Sequence, residues 1–188
     1  MISNVINLLS ILTMIGQAII VFLLVVVLVA LVKKGSMRTL IDYIGKNAIT
    51  CALVVAIIAT AGSLFLSEVA HFVPCRLCWF QRIFMYPQVV IYAIALWKKE
   101  RFVSWVQGMA LSIIGAVFAS YHYYIQMFAK TVKPCSTYDP VSCTEKVVIH
   151  YGYITIPLMA LTAFLMIILY LVVGKIREKR AQTVQTAQ

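Results

Sequence analysis

Charge is scarce in this chain of 188 residues: Asp, Glu, Lys and Arg make up 12% of it, and only 6 residues are acidic. Apolar residues account for 63%, well above the roughly 45–50% of a typical soluble domain, which excludes an ordinary water-soluble fold and makes the bilayer the main solvent. No Lys or Arg precedes the first apolar run and no Ala-x-Ala site follows it. That run is also too long for the core of a signal peptide, so it is expected to be a retained helix. Internal repeats and low-complexity segments are missing, which removes solenoids and compositional linkers from consideration. The net charge of +10 does not indicate nucleic acid, because the basic residues sit in short clusters beside apolar runs rather than along a separate basic face.

What is present is a set of five runs, each long enough to cross about 30 Å of hydrocarbon at about 1.5 Å per helical residue. They cover Leu8 to Val32, Ala48 to Ala70, Cys78 to Trp97, Phe102 to Phe128 and Gly152 to Gly174. The expected architecture is an all-α integral membrane protein: a four-helix transmembrane bundle over 48–174, preceded by an extra helix and linker over 1–47 and followed by a basic tail over 175–188. The polar end of that tail, from Ala181, is expected to be disordered. Lys33, Lys34, Arg38, Lys46, Lys98, Lys99, Arg101, Lys175, Arg177, Lys179 and Arg180 all fall on one side of this topology. The positive-inside rule makes that side cytoplasmic. The protein is then expected to be a multi-pass protein of the cytoplasmic membrane, with its N-terminus and the loops before and after the middle helices outside.

Four of the five cysteines lie in those outer segments, in two close pairs. Cys75 and Cys78 form a CxxC at the start of a helix, where unpaired backbone N–H groups and the positive dipole end favour a thiolate. The next residue is Trp79, not the histidine that a c-type haem site requires. Arg82 follows Cys78 by four residues and shares its helix face, so its guanidinium is placed to favour a thiolate or to donate hydrogen bonds to a carbonyl ligand. A snorkelling membrane anchor is the plainer role for the same arginine. Cys135 and Cys143 are separated by seven residues including Asp139-Pro140, a turn that would bring the two sulfurs together. Taken alone this second pair suits a structural disulfide as well as a redox couple. Two pairs on one face, however, are what stepwise thiol–disulfide exchange needs. The loop pair suits a protein partner, and the pair at the hydrocarbon boundary suits an acceptor dissolved in the membrane.

His122, in Ser120-Tyr121-His122-Tyr123-Tyr124, fits an aromatic interfacial belt. Together with His71, His150 and the cysteines it also leaves a zinc site open. Cys51 and the methionines, Met85 and Met109 among them, read as packing residues.

The segments Cys75-Arg76-Leu77-Cys78-Trp79-Phe80-Gln81-Arg82, Tyr121-His122-Tyr123, Cys143-Thr144-Glu145-Lys146 and Gly152-Tyr153-Ile154-Thr155-Ile156-Pro157 occur in that order, with Cys135 thirteen residues after His122. In this the chain resembles the bacterial disulfide bond formation protein B family, particularly its short members called disulfide bond formation protein C, over roughly 48–174. The resemblance implies a membrane thiol oxidoreductase that reoxidises an extracytoplasmic thioredoxin-like thiol oxidase and passes the electrons to a quinone, ubiquinone or menaquinone. It further implies that Cys135 is attacked by the partner and that Cys143 is its disulfide mate. In the same way Cys75 would receive electrons from the loop pair and Cys78 would be the quinone-proximal thiolate. Arg82 and His122 would lie at the quinone site, and no resident metal is expected. The extra first helix, the loop-pair spacing, which matches the short members and not the larger ones, and Gln81 at a position that can be acidic in the family depart from the pattern. Two alternatives remain: a vitamin K epoxide reductase-like enzyme running electrons the other way, and a non-enzymatic membrane subunit held by disulfides or zinc.

Overall fold

The computed structural model describes residues 2–32, 38–100, 102–128, 143 and 148–185. Six α-helices carry almost all of them: α1 (Ile2–Val32), α2 (Arg38–Lys46), α3 (Ala48–Leu64), α4 (Arg76–Lys98), α5 (Phe102–Phe128) and α6 (Ile156–Gln185), with a π-helical turn at Phe65–Val69 continuing α3. Four helical segments, Ile2–Val29, Ala48–Val69, Ser104–Phe128 and Ile156–Gln182, are long and apolar enough to cross a membrane. The protein is an all-α, multi-pass membrane bundle. At 23 residues α4 spans about 34 Å and is equally long. Its apolar character is diluted by Arg76, Gln81, Arg82, Gln88 and Lys98, two of which, Gln81 and Gln88, are turned inward and buried.

Helices approach one another in a membrane through small residues and satisfied polar groups rather than through a hydrophobic drive. Both devices are present here. A Cβ at Gly108 of α5 would collide with the Tyr92 ring of α4, and one at Gly115 with the Phe164 ring of α6. Tyr92 donates its hydroxyl hydrogen to Gln88 Oε1 at 2.9 Å, Ser112 of α5 donates to the same oxygen at 3.0 Å, and the Gln88 amide closes on the Phe84 carbonyl at 2.8 Å. Every polar atom of the fully buried Gln88 side chain is thus used, as hydrocarbon surroundings demand. Toward the N-terminal end of α5, Trp105 Nε1–H donates to the Leu171 carbonyl at 3.0 Å and ties α5 to α6.

Helix α4 lies against α3 and α5, whereas α6 is packed against α1, α2, α3 and α5. Several features differ from expectation, among them the start of α1 at Ile2 and not Leu8. The linker after α1 contains the amphipathic helix α2, whose Ile41 is buried with Val26 and Val173. And α6 does not stop at Gly174 but runs to Gln185, so the segment from Ala181 expected to be disordered is helical up to that residue. Glu, Lys, Arg, Ala and Gln are good helix formers, and a helix already nucleated in the bundle extends through them. Helix α6 begins at Ile156 rather than Gly152 because His150 and Ile154 bridge each other in both directions at 2.9 Å around a tight turn with Tyr151 and Gly152 at positive φ. Most of the loop from Ala129 to Val147, including Cys135, lies outside the described residues.

Candidate redox site

The N-terminal end of α4 is shaped by what precedes it. The π turn closes with the Ala70 N–H on the Phe65 carbonyl at 3.0 Å, His71 takes a left-handed φ of 55°, and the chain runs through Val73 and Pro74 to Cys75. Cys75 is the N-cap, extended at φ −71°, ψ 170°, and its carbonyl accepts the first helical bond, from Trp79 N–H at 3.2 Å. One turn of helix then sets Cys78 beside Cys75. The two sulfurs are 3.4 Å apart as free thiols, with Cys75 Sγ–H donating to Cys78 Sγ. Donating that hydrogen, with burial as the second cause, pushes the Cys75 thiol up to about 12. Cys75 is therefore the proton holder of the reduced pair and Cys78 the receiving sulfur.

His122 of α5 faces this pair. Its side chain is 1% exposed, while the neighbouring Tyr121 is 56% exposed, so the histidine belongs to the site and the tyrosine to the belt. Gln81 Nε2, itself buried, donates to His122 Nδ1 at 2.9 Å. That leaves Nε2–H as the donor, 3.2 Å from the Cys143 carbonyl and 3.6 Å from Cys75 Sγ. Cys143 is buried in one apolar cluster with Cys75, Leu77 and Ile125, against which Cys78, Phe80 and Phe118 also pack. One cysteine of the loop pair is thereby brought to the helix pair.

Arg82, one turn after Cys78, reaches toward α3. Its Nε–H donates to Ser63 Oγ at 3.1 Å and its Nη2 to the Ser63 carbonyl at 3.2 Å, its guanidinium lies 5.3 Å from the Trp79 ring centroid, and Tyr86 donates to the same Ser63 Oγ at 3.1 Å. Cys75, Cys78, Arg82 and His122 all line one cavity of about 480 Å³ that is otherwise mostly apolar, and Arg82 is the only charged residue among the described residues that line it.

Of the expected site residues, Cys75, Cys78, Arg82, His122 and Cys143 come together, and Cys135 falls outside the described residues. The ligand atoms of Cys75, Cys78 and His122 lie within 4.8 Å of one another, close enough to hold a soft metal ion, whereas His71 and His150 do not join that group. Cys51 is half-buried and faces the cavity rather than being packed in the core. Sequence reasoning missed Ser63 and Tyr86 as supports of Arg82, and Gln81 as the support of His122. An amide recurring every seven residues in a membrane helix, as Gln81 and Gln88 do, is a signal that something must satisfy it.

A profile of the family described as disulfide bond formation protein DsbB matches residues 45–174, which take in α3 to α5, α6 as far as Gly174 and both cysteine segments. The chain belongs to the DsbB family. A probable disulfide formation protein of Oceanobacillus iheyensis is 41% identical over 140 residues, covering 72% of this chain and 94% of that one. The disulfide bond formation protein C of Bacillus subtilis is 44% identical over 121 residues, 63% of this chain and 85% of its own. No solved structure matches. As a DsbB-family member the protein is a disulfide-forming membrane oxidoreductase, and α1 precedes the part that the family profile covers.

Proposed function

We propose that the protein is a thiol:quinone oxidoreductase of the cytoplasmic membrane that reoxidises an extracytoplasmic thioredoxin-like thiol oxidase. The observation that carries this is the junction at α4: a thiol pair at 3.4 Å, packed with Cys143 on one side and opening on the other into the apolar cavity that holds Arg82.

In the first stage a partner thiolate attacks Cys135 of an oxidised Cys135–Cys143 bridge. The partner's second thiol resolves the mixed disulfide, so the partner leaves oxidised and the loop pair is left as two thiols. In the second stage Cys143 attacks Cys75 of an oxidised Cys75–Cys78 bridge and expels Cys78 as thiolate. Cys135 then displaces Cys75, which restores the loop disulfide and reduces the helix pair. His122 holds the Cys143 carbonyl while its Nε2–H lies beside Cys75, a position from which it can supply or take the proton as that sulfur changes charge. A quinone, when bound, accepts the two electrons and two protons released as Cys75 and Cys78 close again. The cavity fits such a group: its walls are apolar, and Arg82, fixed by Ser63 and Trp79, presents a permanent cation with guanidinium donors to an oxygen gaining negative charge. The clustering of basic residues at the opposite ends of the helices supports a topology with both cysteine segments outside.

The test combines the purified protein, a reduced thioredoxin-like dithiol protein and a soluble quinone, following quinone absorbance and free thiols together. Quinone-dependent loss of thiols at one quinone per dithiol is expected; thiol levels indifferent to quinone would remove the proposal. Cys135→Ala should block partner oxidation alone, and Cys78→Ala should block quinone reduction as well. A zinc-stabilised subunit is the second reading, favoured by the proximity of Cys75, Cys78 and His122; it requires one tightly held zinc per chain and thiols inert to the partner.

A further inference from the structure

The cavity at the dithiol does not end there. It continues along α3 from Ser63 to Thr50 and Cys51, with Tyr170 of α6 lining the same deep end. Thirteen residues of helix separate Ser63 from Thr50, a depth of about 20 Å. Polar and charged groups gather at the outer end, where Arg82, Cys78 and His122 stand, and the rest is lined mainly by Val, Ile, Leu, Ala and Met.

Helix α1 supplies one wall of this space through Leu9, Leu12, Thr13, Ile15, Gly16 and Ile19. Two close glycine contacts hold it there. A Cβ on Gly16 would stand 3.0 Å from both Met166 Sδ and Thr162 Cγ2 of α6, and one on Gly62 of α3 would stand 3.0 Å from Leu9 Cδ2. The helix thus meets α6 at Gly16 and α3 near its outer end. Its polar side chains on this stretch are occupied away from the space: Thr13 donates to the Leu9 carbonyl at 2.8 Å, Ser10 donates to the Ile6 carbonyl at 2.9 Å, and Gln17, which does not line the cavity, accepts from the Tyr153 hydroxyl at 3.1 Å. The wall it offers is therefore apolar. This wall is built from residues that precede the part matched to the family.

We infer that α1 converts the space between α3 and α6 into a roofed tunnel for the polyisoprenyl tail of the acceptor, and that its cavity-facing residues select for tail length. The inference rests on the quinone assignment above and adds to it the role of the first helix. The occupant follows from the lining: a long uncharged chain suits the apolar depth, and its one polar end must lie at the redox sulfurs and Arg82. A phospholipid acyl chain meets the first condition but brings no redox ring to the second. Burying the tail against α1 as well as α3 and α6 gives a tailed acceptor apolar contact that a bare ring lacks.

The experiment uses the full chain in lipid nanodiscs, dithiothreitol as reductant, and two naphthoquinones with the same ring: menadione, which has no tail, and a derivative carrying a polyisoprenyl tail. Leu12→Trp and Ile19→Trp should each raise KM for the tailed quinone by about ten-fold or more, the effect of blocking a few buried methylene contacts, and leave kcat and KM for menadione unchanged. Leu12→Ala, which removes bulk instead of adding it, should shift the two substrates apart in the same sense but less. Equal shifts for both quinones, or none for either, would overturn the role of α1 while leaving the quinone assignment standing. Failure of the unaltered protein to reduce either quinone would overturn the assignment and the tunnel with it. A readout independent of turnover is alkylation of Cys51 by an apolar maleimide, followed by mass spectrometry of its peptide. The tailed quinone should protect Cys51 and menadione should not. Equal protection by a polyisoprenyl alcohol lacking the ring would assign the space to lipid chains in general and overturn the inference.

Discussion

Gln81 and His122, 41 residues apart in the chain, meet through a 2.9 Å hydrogen bond that fixes which imidazole nitrogen carries the hydrogen. Because the Gln81 amide donates to Nδ1, Nε2–H is directed at the Cys143 carbonyl and at Cys75. Gln81→Leu leaves Nδ1 buried without that donor, at a cost of about 1–3 kcal/mol. A lower unfolding temperature in detergent and slower dithiol oxidation are expected. Gln81→Glu can only accept from Nδ1–H, which takes the hydrogen off the nitrogen that faces Cys143 and Cys75, so it should recover stability more than rate. Equal rates and unfolding temperatures for all three proteins would show that Gln81 does not act through His122.

Cys75 and Cys78 should differ in reactivity when reduced. The Cys75 thiol is pushed up to about 12, first by donating to Cys78 and then by burial. An acid with a raised pKa stays protonated over the whole range below it, so at neutral pH Cys75 is a thiol and its alkylation rate should climb steadily as pH rises toward that value. Iodoacetamide at neutral pH should modify Cys78 at least about ten-fold faster, the ratio that one pKa unit gives. Mass spectrometry of the two sites at short times measures it.

Ser63 accepts hydrogen bonds from both Arg82 and Tyr86. Arg82→Ala should lower quinone-dependent turnover by about 100-fold, the usual loss on removing a preorganised donor from a developing oxyanion. Ser63→Ala removes only the hydroxyl that positions the guanidinium and keeps the carbonyl contact, so a fall of up to about ten-fold is expected, equivalent to one net hydrogen bond. Steady-state kinetics with a soluble quinone separates them; a larger effect from Ser63 than from Arg82 would reverse these roles.

Gly108 has no room for a side chain because Tyr92 packs directly on it. Gly108→Ala should force the ring away from Gln88 and Ser112 and lower stability by about 1–3 kcal/mol, visible as earlier thermal unfolding in detergent. Tyr92→Phe in the same background should recover little, since the clash involves ring carbons as well as the hydroxyl.

The local sequence carried much of this structure and missed a defined part of it. Apolar runs located α1, α3, α4, α5 and α6, and the CxxC spacing placed Cys75 and Cys78 at the start of α4. The bond between Arg82 and Ser63, across 19 residues, and that between Gln81 and His122 arise only when α3, α4 and α5 pack side by side, so no local window contains them. His122 illustrates the difficulty: flanked by tyrosines, it has the surroundings of a belt residue, and helical phase alone turns it inward while Tyr121 and Tyr124 face outward. Helix α2 escaped notice because its nine residues have low overall hydropathy and earn their place only by laying Ile41 against Val173.

Helix α6 touches α1, α2, α3 and α5, yet it is the last of them to be synthesised. Until it leaves the ribosome, the earlier helices wait without their common neighbour, and Gly16, Gly45 and Gly115 lack the side chains of Met166, Arg177 and Phe164. Assembly is therefore gated by the final stretch of translation. A stop codon ahead of α6 would remove Phe164, Met166 and Arg177 together, whereas loss of α1 would spare the order in which the remaining helices find one another.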